Sequence, residues 1–330
     1  MKISIIGGGS WGTAMALHLS ELNVEVSVWE YDKDRVEYIN KHRINDLLPK
    51  KRIPDSINYS NKISDILIDP EIIVMAIPSS YMREVSKKIG KQKVSTNPII
   101  VNLSKGIEEK THKRMSEVIS ETIKFKYQGI VALSGPSHAE EVSENLPTLL
   151  VAASDNVKIA KTVQAVFMTE RLRIYYSKDI IGVEYGGALK NVIAIAAGIC
   201  KGVGFGDNAI AALIIRGASE IMKISEKMGA DPMTIAGLSG IGDLIVTATS
   251  HHSRNQFVGI QIGKGKILRE VLASMKMVAE GVITAKSAHQ LSIDNNIEMP
   301  IINAMYKVLY EDMDPLETVD MLMTRDSKEE

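Results

Sequence analysis

The segment KISIIGGGSWGTAMALHL (residues 2–19) carries three glycines, Gly7, Gly9 and Gly12, at the spacing G-x-G-x-x-G. Each has a separate task at that spacing. Gly7 allows a tight turn, Gly9 lets backbone approach a pyrophosphate, and Gly12 lets a helix pack closely on a sheet. Ser10 is placed to cap the helix that follows, and Trp11 sits inside the turn itself. The N-terminus of that helix offers N–H groups and a partial positive charge to phosphates. Glu30, 18 residues after Gly12, ends the next strand-like run. A carboxylate there accepts hydrogen bonds from an adenosine ribose diol and repels a 2′-phosphate. The turn therefore reads as a dinucleotide site with NAD favoured over NADP. Arg35 keeps NADP open, and a ligand-free structural turn and a solvated strand-end glutamate are the plainer alternatives.

Further along, several polar residues end strands or interrupt helices. Lys105 follows the apolar run IIVNL, where ligands of open parallel sheets bind; alone, it reads equally as a surface charge. LSGPSHAEE (residues 133–141) ends another strand in a turn with Gly135 and Ser137, and a helix is expected to start at Pro136 or Ser137. Spacing in the sequence marks no His, Asp or Glu that would make His138 a proton carrier. Lys190 lies in EYGGALKNVIAIAAGI, among small and apolar residues. It either snorkels to water or sits desolvated with a lowered pKa that suits proton donation near neutrality; spacing alone favours snorkelling. LSGIGDLIVTATSHHSRNQ (residues 238–256) is a polar break that brings Asp243, Thr247, Ser253, Arg254 and Asn255, the types that bind phosphate and orient a lysine. His251 and His252 lack metal-ligand spacing, and no zinc site is expected.

The elements that must hold these residues follow from hydrophobic pattern. Apolar runs at 2–7, 24–30, 71–78, 98–106, 129–137, 147–154 and 172–177 alternate with helical segments. Pro49 and Pro54 mark a loop between them. Such runs predict mostly parallel strands covered on both faces, a doubly wound Rossmann-like sheet. From about residue 180 the period changes to 3.6, which predicts an all-α second domain. The expected domains are 1–180, dinucleotide-binding, and 181–330, helical and substrate-binding. The 330 residues carry 39 Lys and Arg against 40 Asp and Glu, a net charge of −1. That balance argues against nucleic acid or an anionic membrane as a partner. A single cysteine, Cys200, excludes an internal disulfide framework and fits a reducing compartment. No secretory signal is visible, and no apolar run is read as long enough for a membrane span. A cytoplasmic location is expected. The Met-rich segments read as core filler.

Taken together, GGGSWGTAMA, SKGIE, SGPSHAEE, EYGGALKNV, GIGDLIVTATSHHSRN and VAEGV, in this order up to Pro300, resemble the bacterial NAD(P)-dependent sn-glycerol-3-phosphate dehydrogenase family. The resemblance spans nearly the whole chain. It implies that Lys190 is the catalytic proton donor and acceptor, with Asn191 and Thr247 arranging substrate and lysine. It implies that Lys105, Gly135, Ser137, Asp243, Ser253, Arg254 and Asn255 line the substrate site. Ser10, Trp11, Lys105, Ala139, Arg254, Val278 and Glu280 match cofactor-contacting positions, with Trp11 walling the dinucleotide. The implied reaction is reversible reduction of dihydroxyacetone phosphate to sn-glycerol 3-phosphate, a precursor of glycerophospholipids, by a homodimer. One departure stands out: Glu30, Tyr31 and Asp32 occupy the end of strand two, where family members often carry basic or neutral residues. The acidic pair favours NAD. Other two-domain dehydrogenases, acting on hydroxyacids or ketopantoate, and a non-catalytic NAD(H) sensor are the rival readings.

Overall fold

The computed structural model describes residues 1–326. The chain forms two compact units that are not consecutive stretches of sequence. Unit one comprises residues 1–105 and 113–184; unit two takes residues 106–112 together with the chain from Tyr185 onward.

Unit one contains β1 (Lys2–Ile6), β2 (Glu25–Trp29), β3 (Ile44–Asn45), β4 (Leu48–Arg52), β5 (Asn58–Ser60), β6 (Ile72–Met75), β7 (Ile99–Asn102), β8 (Gly129–Ser134), β9 (Thr148–Ala153) and β10 (Leu172–Ser177). Eight of them form one sheet in the order β10-β9-β8-β7-β6-β1-β2-β5. All its pairs are parallel except β8 with β9. The central strands are apolar throughout because both faces are covered. Ile72 and Val74 of β6 point into one core with Ile3 and Ile5, while Ile73 and Met75 point into the other with Ile6. Helices α1 (Ser10–Ser20), α2 (Lys33–His42) and α7 (Val157–Phe167) cover the first face; α3 (Ile63–Ile66), α4 (Met82–Gly90) and α5 (Met115–Thr122) cover the second. A short α6 (Ala139–Ser143) follows β8. Strand order reverses on either side of β1, so the turn after β1 lies at the sheet's switch point, where open α/β sheets bind ligands.

The stretch expected to be a loop around Pro49 and Pro54 instead holds the β3–β4 hairpin, followed by β5. The hairpin pairs Asn45 with Leu48 and Ile44 with Arg52 across a register shift, so Pro49 falls between paired positions. The expected helix start at Pro136 or Ser137 is also corrected. His138 is the N-cap and α6 begins at Ala139.

Unit two is helical: α8 (Ile180–Val203, whose first residues lie in unit one), α9 (Asp207–Lys227), α10 (Pro232–Ile235), α11 (Asp243–Thr249), α12 (Arg254–Gly263), α13 (Leu268–Ala273), α14 (Glu280–Asp294), α15 (Pro300–Tyr310) and α16 (Pro315–Met323). Residues 182–200 of α8 are buried all round, as expected of a core helix. Contrary to the sequence expectation, α8 and the stretch Pro232–Thr249 are apolar and long enough to cross a membrane; 94% of the α8 window is buried inside the protein and 39% of the other. Helix α8 meets α12 along a glycine seam. A Cβ on Gly198 or Gly202 would strike the α12 backbone at Gln256 and Ile260, and one on Gly259 or Gly263 would strike α8 at Ile195 and Ile199.

The segment 106–112 is secured within unit two. Ile107 is buried and its carbonyl accepts from Ser287 Oγ at 3.4 Å; Lys286 pairs with Glu109 at 2.7 Å, and His112 Nδ1 lies 3.7 Å from Asp294 Oδ2. Deeper in the unit, Glu220 of α9 accepts the N–H groups of Ile301 at 2.8 Å and Ile302 at 3.1 Å, the start of α15. Pro300 at the first position of α15 has no N–H to satisfy. Burial pushes the Glu220 carboxyl up to about 7, against the pull of those two N–H groups. Its folded pKa thus lies above its unfolded value. The stabilisation it offers is complete below about pH 4.5 and is lost as pH rises through about 7. The stability difference between wild type and Glu220→Gln is expected to fall by about 3 kcal/mol between pH 4.5 and pH 8. Denaturant titrations across that range check it, and a pH-independent difference would contradict it.

Candidate active site

In unit one, β1 runs into Gly7, whose φ of +118° is a backbone state that favours glycine and where a Cβ would strike the Ala76 carbonyl. The Gly7 N–H is held by Trp29 O at 2.9 Å, and a Cβ on Gly12 would collide with the Gly7 carbonyl. The helix therefore sits directly on the turn. Gly9 is the N-cap of α1, and a Cβ added there would meet nothing within 4 Å. Ser10 does not cap the helix as expected: it is the first helical residue, no side chain caps α1, and no acidic residue stands in its first turn. The start of α1 is left open to an anion, and the open side of Gly9 gives backbone room for a pyrophosphate. These residues fit a dinucleotide.

The rear of the turn is clamped by a buried polar network. Asn45 Nδ2 donates to Gly8 O at 2.7 Å and to Thr13 Oγ1 at 2.7 Å, and Thr13 Oγ1 lies 3.1 Å from Tyr59 OH. Burial pushes the Tyr59 hydroxyl up to about 12, so it stays protonated. Trp11 is half-buried and leans on Ala14, Leu48 and Ala139. Glu30 is not solvated: it is 3% exposed at the end of β2, and its carboxylate accepts from the Gly8 and Asp32 N–H groups and from Arg35. Burial pushes it above the ordinary carboxylate value, opposed by the Asp32 N–H and the Arg35 charge.

At the ends of β7 and β8, Lys105 Nζ donates to Gly135 O at 3.0 Å and Ser137 Oγ donates to the same carbonyl at 2.9 Å. Gly135 has φ +145° and Ala139 opens α6 beside it. The loop carrying Lys105 is fixed from below. Asn102 brackets Ser104 through its backbone N–H and carbonyl, and Asn102 Nδ2 reaches Glu184 at 3.3 Å. Glu184 also accepts from Arg114 at 2.7 Å, and from Ser116 N at 2.8 Å and Oγ at 2.5 Å. Burial raises the Glu184 pKa, with Arg114 the main opposing influence.

In unit two, Lys190 does not snorkel. It is 5% exposed, and its ammonium donates to Asp243 Oδ1 at 2.7 Å and to Thr247 Oγ1 at 2.5 Å. Asp243 and Thr247 are one turn apart on α11, which puts both on one face. Thr247 spends its own proton on Asp243 O at 2.6 Å and so presents lone pairs to the lysine. Asn191, next on α8, accepts from Asn255 Nδ2 at 2.9 Å, while Asn255 Oδ1 accepts the Gly281 N–H at 2.9 Å. Ser253 is the N-cap of α12, accepting from Gln256 N at 3.1 Å, and Arg254, exposed, opens that helix. Val278 and Glu280 flank the N-cap Ala279 of α14. The structure thus gathers the expected residues into three groups: Gly7, Gly9, Ser10, Trp11, Gly12 and Glu30 at the first turn; Lys105, Gly135, Ser137 and Ala139 beyond β7 and β8; and the Lys190 group in unit two. Asn45, Asn102, Arg114, Glu184 and Gly281 support them and were not singled out from sequence.

A glycine turn at the switch point of a parallel sheet, with a buried lysine held by a carboxylate and a hydroxyl on helices, defines an NAD(P)-dependent dehydrogenase. Residues 2–160 match the family model of the NAD-dependent glycerol-3-phosphate dehydrogenase N-terminus, and residues 179–320 match that of the C-terminus. The chain belongs to the NAD-dependent glycerol-3-phosphate dehydrogenase family. It is 50% identical over 330 residues to a glycerol-3-phosphate dehydrogenase [NAD(P)+] of Thermoanaerobacter sp. (strain X514), covering 100% of this chain and 99% of that protein. It is 47% identical to the protein of the same description from Enterococcus faecalis, covering 100% and 97%. Among solved structures, a glycerol-3-phosphate dehydrogenase from Coxiella burnetii superposes with a TM-score of 0.94 at 33% identity, covering 98% of this chain and 99% of that one. A ketopantoate reductase from Ralstonia eutropha JMP134 shares the fold at a TM-score of 0.63 and 12% identity, covering 97% and 100%.

The Asn45 amide is the main hold on the Gly8 carbonyl. Asn45→Ala is expected to cost about 1–3 kcal/mol of stability and to weaken NADH binding as the turn loosens. A denaturant midpoint and a fluorescence titration with NADH check both, and unchanged values would show that the clamp is idle.

Proposed function

We propose that this chain catalyses the reversible reduction of dihydroxyacetone phosphate to sn-glycerol 3-phosphate, with unit one holding the dinucleotide and Lys190 of unit two moving the proton. The buried Lys190–Asp243–Thr247 cluster carries the reading, because nothing in a purely structural helix calls for a desolvated ammonium. The nicotinamide, when bound, supplies or accepts the hydride. Lys190 gives a proton to the ketone oxygen in reduction and takes it back in oxidation. Asp243 Oδ1 and Thr247 Oγ1 hold the ammonium in a fixed position and orientation. Arg254, at the start of α12, and the second N–H of the Asn255 amide are assigned to the phosphate. Lys105, steadied by Gly135 O, adds positive charge where oxygen charge develops. Ser10, Trp11, Ala139, Val278 and Glu280 are assigned to the cofactor, with NAD preferred. The product would serve as the backbone of glycerophospholipids. A homodimer is part of the same reading on the ground of the family resemblance, and a cytoplasmic location on the ground of the single cysteine.

The test is consumption of NADH by the purified protein with dihydroxyacetone phosphate, with NADPH run in parallel. Lys190→Ala is expected to lower kcat by about 10²–10⁴ while NADH still binds. Turnover of a ketoacid without phosphate, in place of dihydroxyacetone phosphate, would overturn the substrate assignment. NADH binding without any turnover would favour a sensor.

A further inference from the structure

The end of β2 holds an arrangement that the proposed reaction does not explain. Arg35, early in α2, is gripped between two carboxylates: Nη1 lies 3.4 Å from Glu30 Oε1 and Nε lies 3.2 Å from Asp46 Oδ1. Its side chain is 21% exposed and that of Glu30 only 4%. Asp46 comes from the loop of the β3–β4 hairpin, immediately after Asn45, and Leu47 N bonds Asn45 Oδ1 at 3.0 Å. The residue that clamps the glycine turn therefore also sets the position of Asp46. Other charges nearby are occupied. Asp32 Oδ1 caps α2 through the Asp34 and Arg35 N–H groups, and Lys33 pairs with Glu37 on the surface.

Glu30 accepts the Gly8 N–H, and Gly7 N bonds Trp29 O, so this cluster adjoins the phosphate turn where the adenosine ribose of a dinucleotide lies. We propose that Arg35 and Asp46 form a charge latch that sets the choice between NAD and NADP. The proposal rests on the dinucleotide reading of the turn. With both ion pairs made, the guanidinium is neutralised and its Nη1 edge holds Glu30 at the ribose. A 2′-phosphate, carrying nearly two negative charges, then faces Glu30, Asp32 and Asp46 against one spent cation. Removing the Asp46 charge releases Arg35, whose planar fork suits a phosphate. Arg35 and Asp46 are thus specificity-determining residues remote from the reacting atoms.

The experiment compares calorimetric affinities for adenosine 2′,5′-bisphosphate and 5′-AMP, which probe the adenosine end without catalysis. Wild type is expected to prefer 5′-AMP. Asp46→Asn, a half-exposed change, is expected to shift the ratio of the two dissociation constants towards the bisphosphate by about tenfold. Adding Arg35→Met to Asp46→Asn is expected to abolish that shift. An unchanged ratio in Asp46→Asn, or a shift that survives loss of Arg35, would overturn the latch while leaving the dinucleotide site intact. Failure of 5′-AMP and NADH to bind wild type at all would overturn the dinucleotide reading, and the latch with it.

Discussion

The helical unit is organised around a buried ion pair, Lys190 with Asp243. A lysine ammonium at 5% exposure is costly unless it is paired and fully hydrogen-bonded, and breaking such a pair by removing one partner costs about 3–5 kcal/mol. The surrounding architecture meets that demand. A π-turn at Leu238–Gly242 delivers Asp243 to the start of α11, and helical spacing brings Thr247 to the same face. The glycine seam lets α12 lie against α8 almost backbone to backbone, which brings Asn255 within reach of Asn191. Gly281 closes the arrangement: a Cβ there would press on the Asn191 carbonyl, and its N–H anchors Asn255.

Unit one solves the opposite problem. A phosphate loop must leave N–H groups exposed, so its own side chains cannot satisfy them, and rigidity has to come from behind. Asn45 and Thr13 supply it by bonding the Gly8 carbonyl, and Tyr59 braces Thr13. The same logic recurs at Lys105, whose loop is steadied by Asn102 and, through it, by Glu184.

Strands buried on both faces were legible because burial makes them continuously apolar, and the glycine turn was legible because its demands on residue type are local. What escaped the linear reading was set by distant partners. Strand β3 is only two residues long and β4 carries Pro49, so the hairpin reads as a loop, and Asn45 was lost with it. Spacing alone placed Lys190 on an apolar helix but could not say what faced it, since Asp243 and Thr247 lie 53 and 57 residues on. Its role came from family resemblance, and its desolvation from the fold. Glu184 meets Ser116 across 68 residues, with no periodicity to announce it. Glu30 was singled out, but its burial against Gly8 and Arg35 was not readable.

The segment 106–112 has a consequence for inheritance. The chain leaves unit one after Lys105, contributes buried Ile107 and paired Glu109 to unit two, re-enters unit one at Lys113, and leaves again after Glu184. The helical unit is therefore not encoded by one contiguous stretch. A recombination event that exchanged only the second half of the gene would import helices built to receive a strap written in the first half. The strap and the helices that receive it are matched across the two halves of the sequence, one written far ahead of the other.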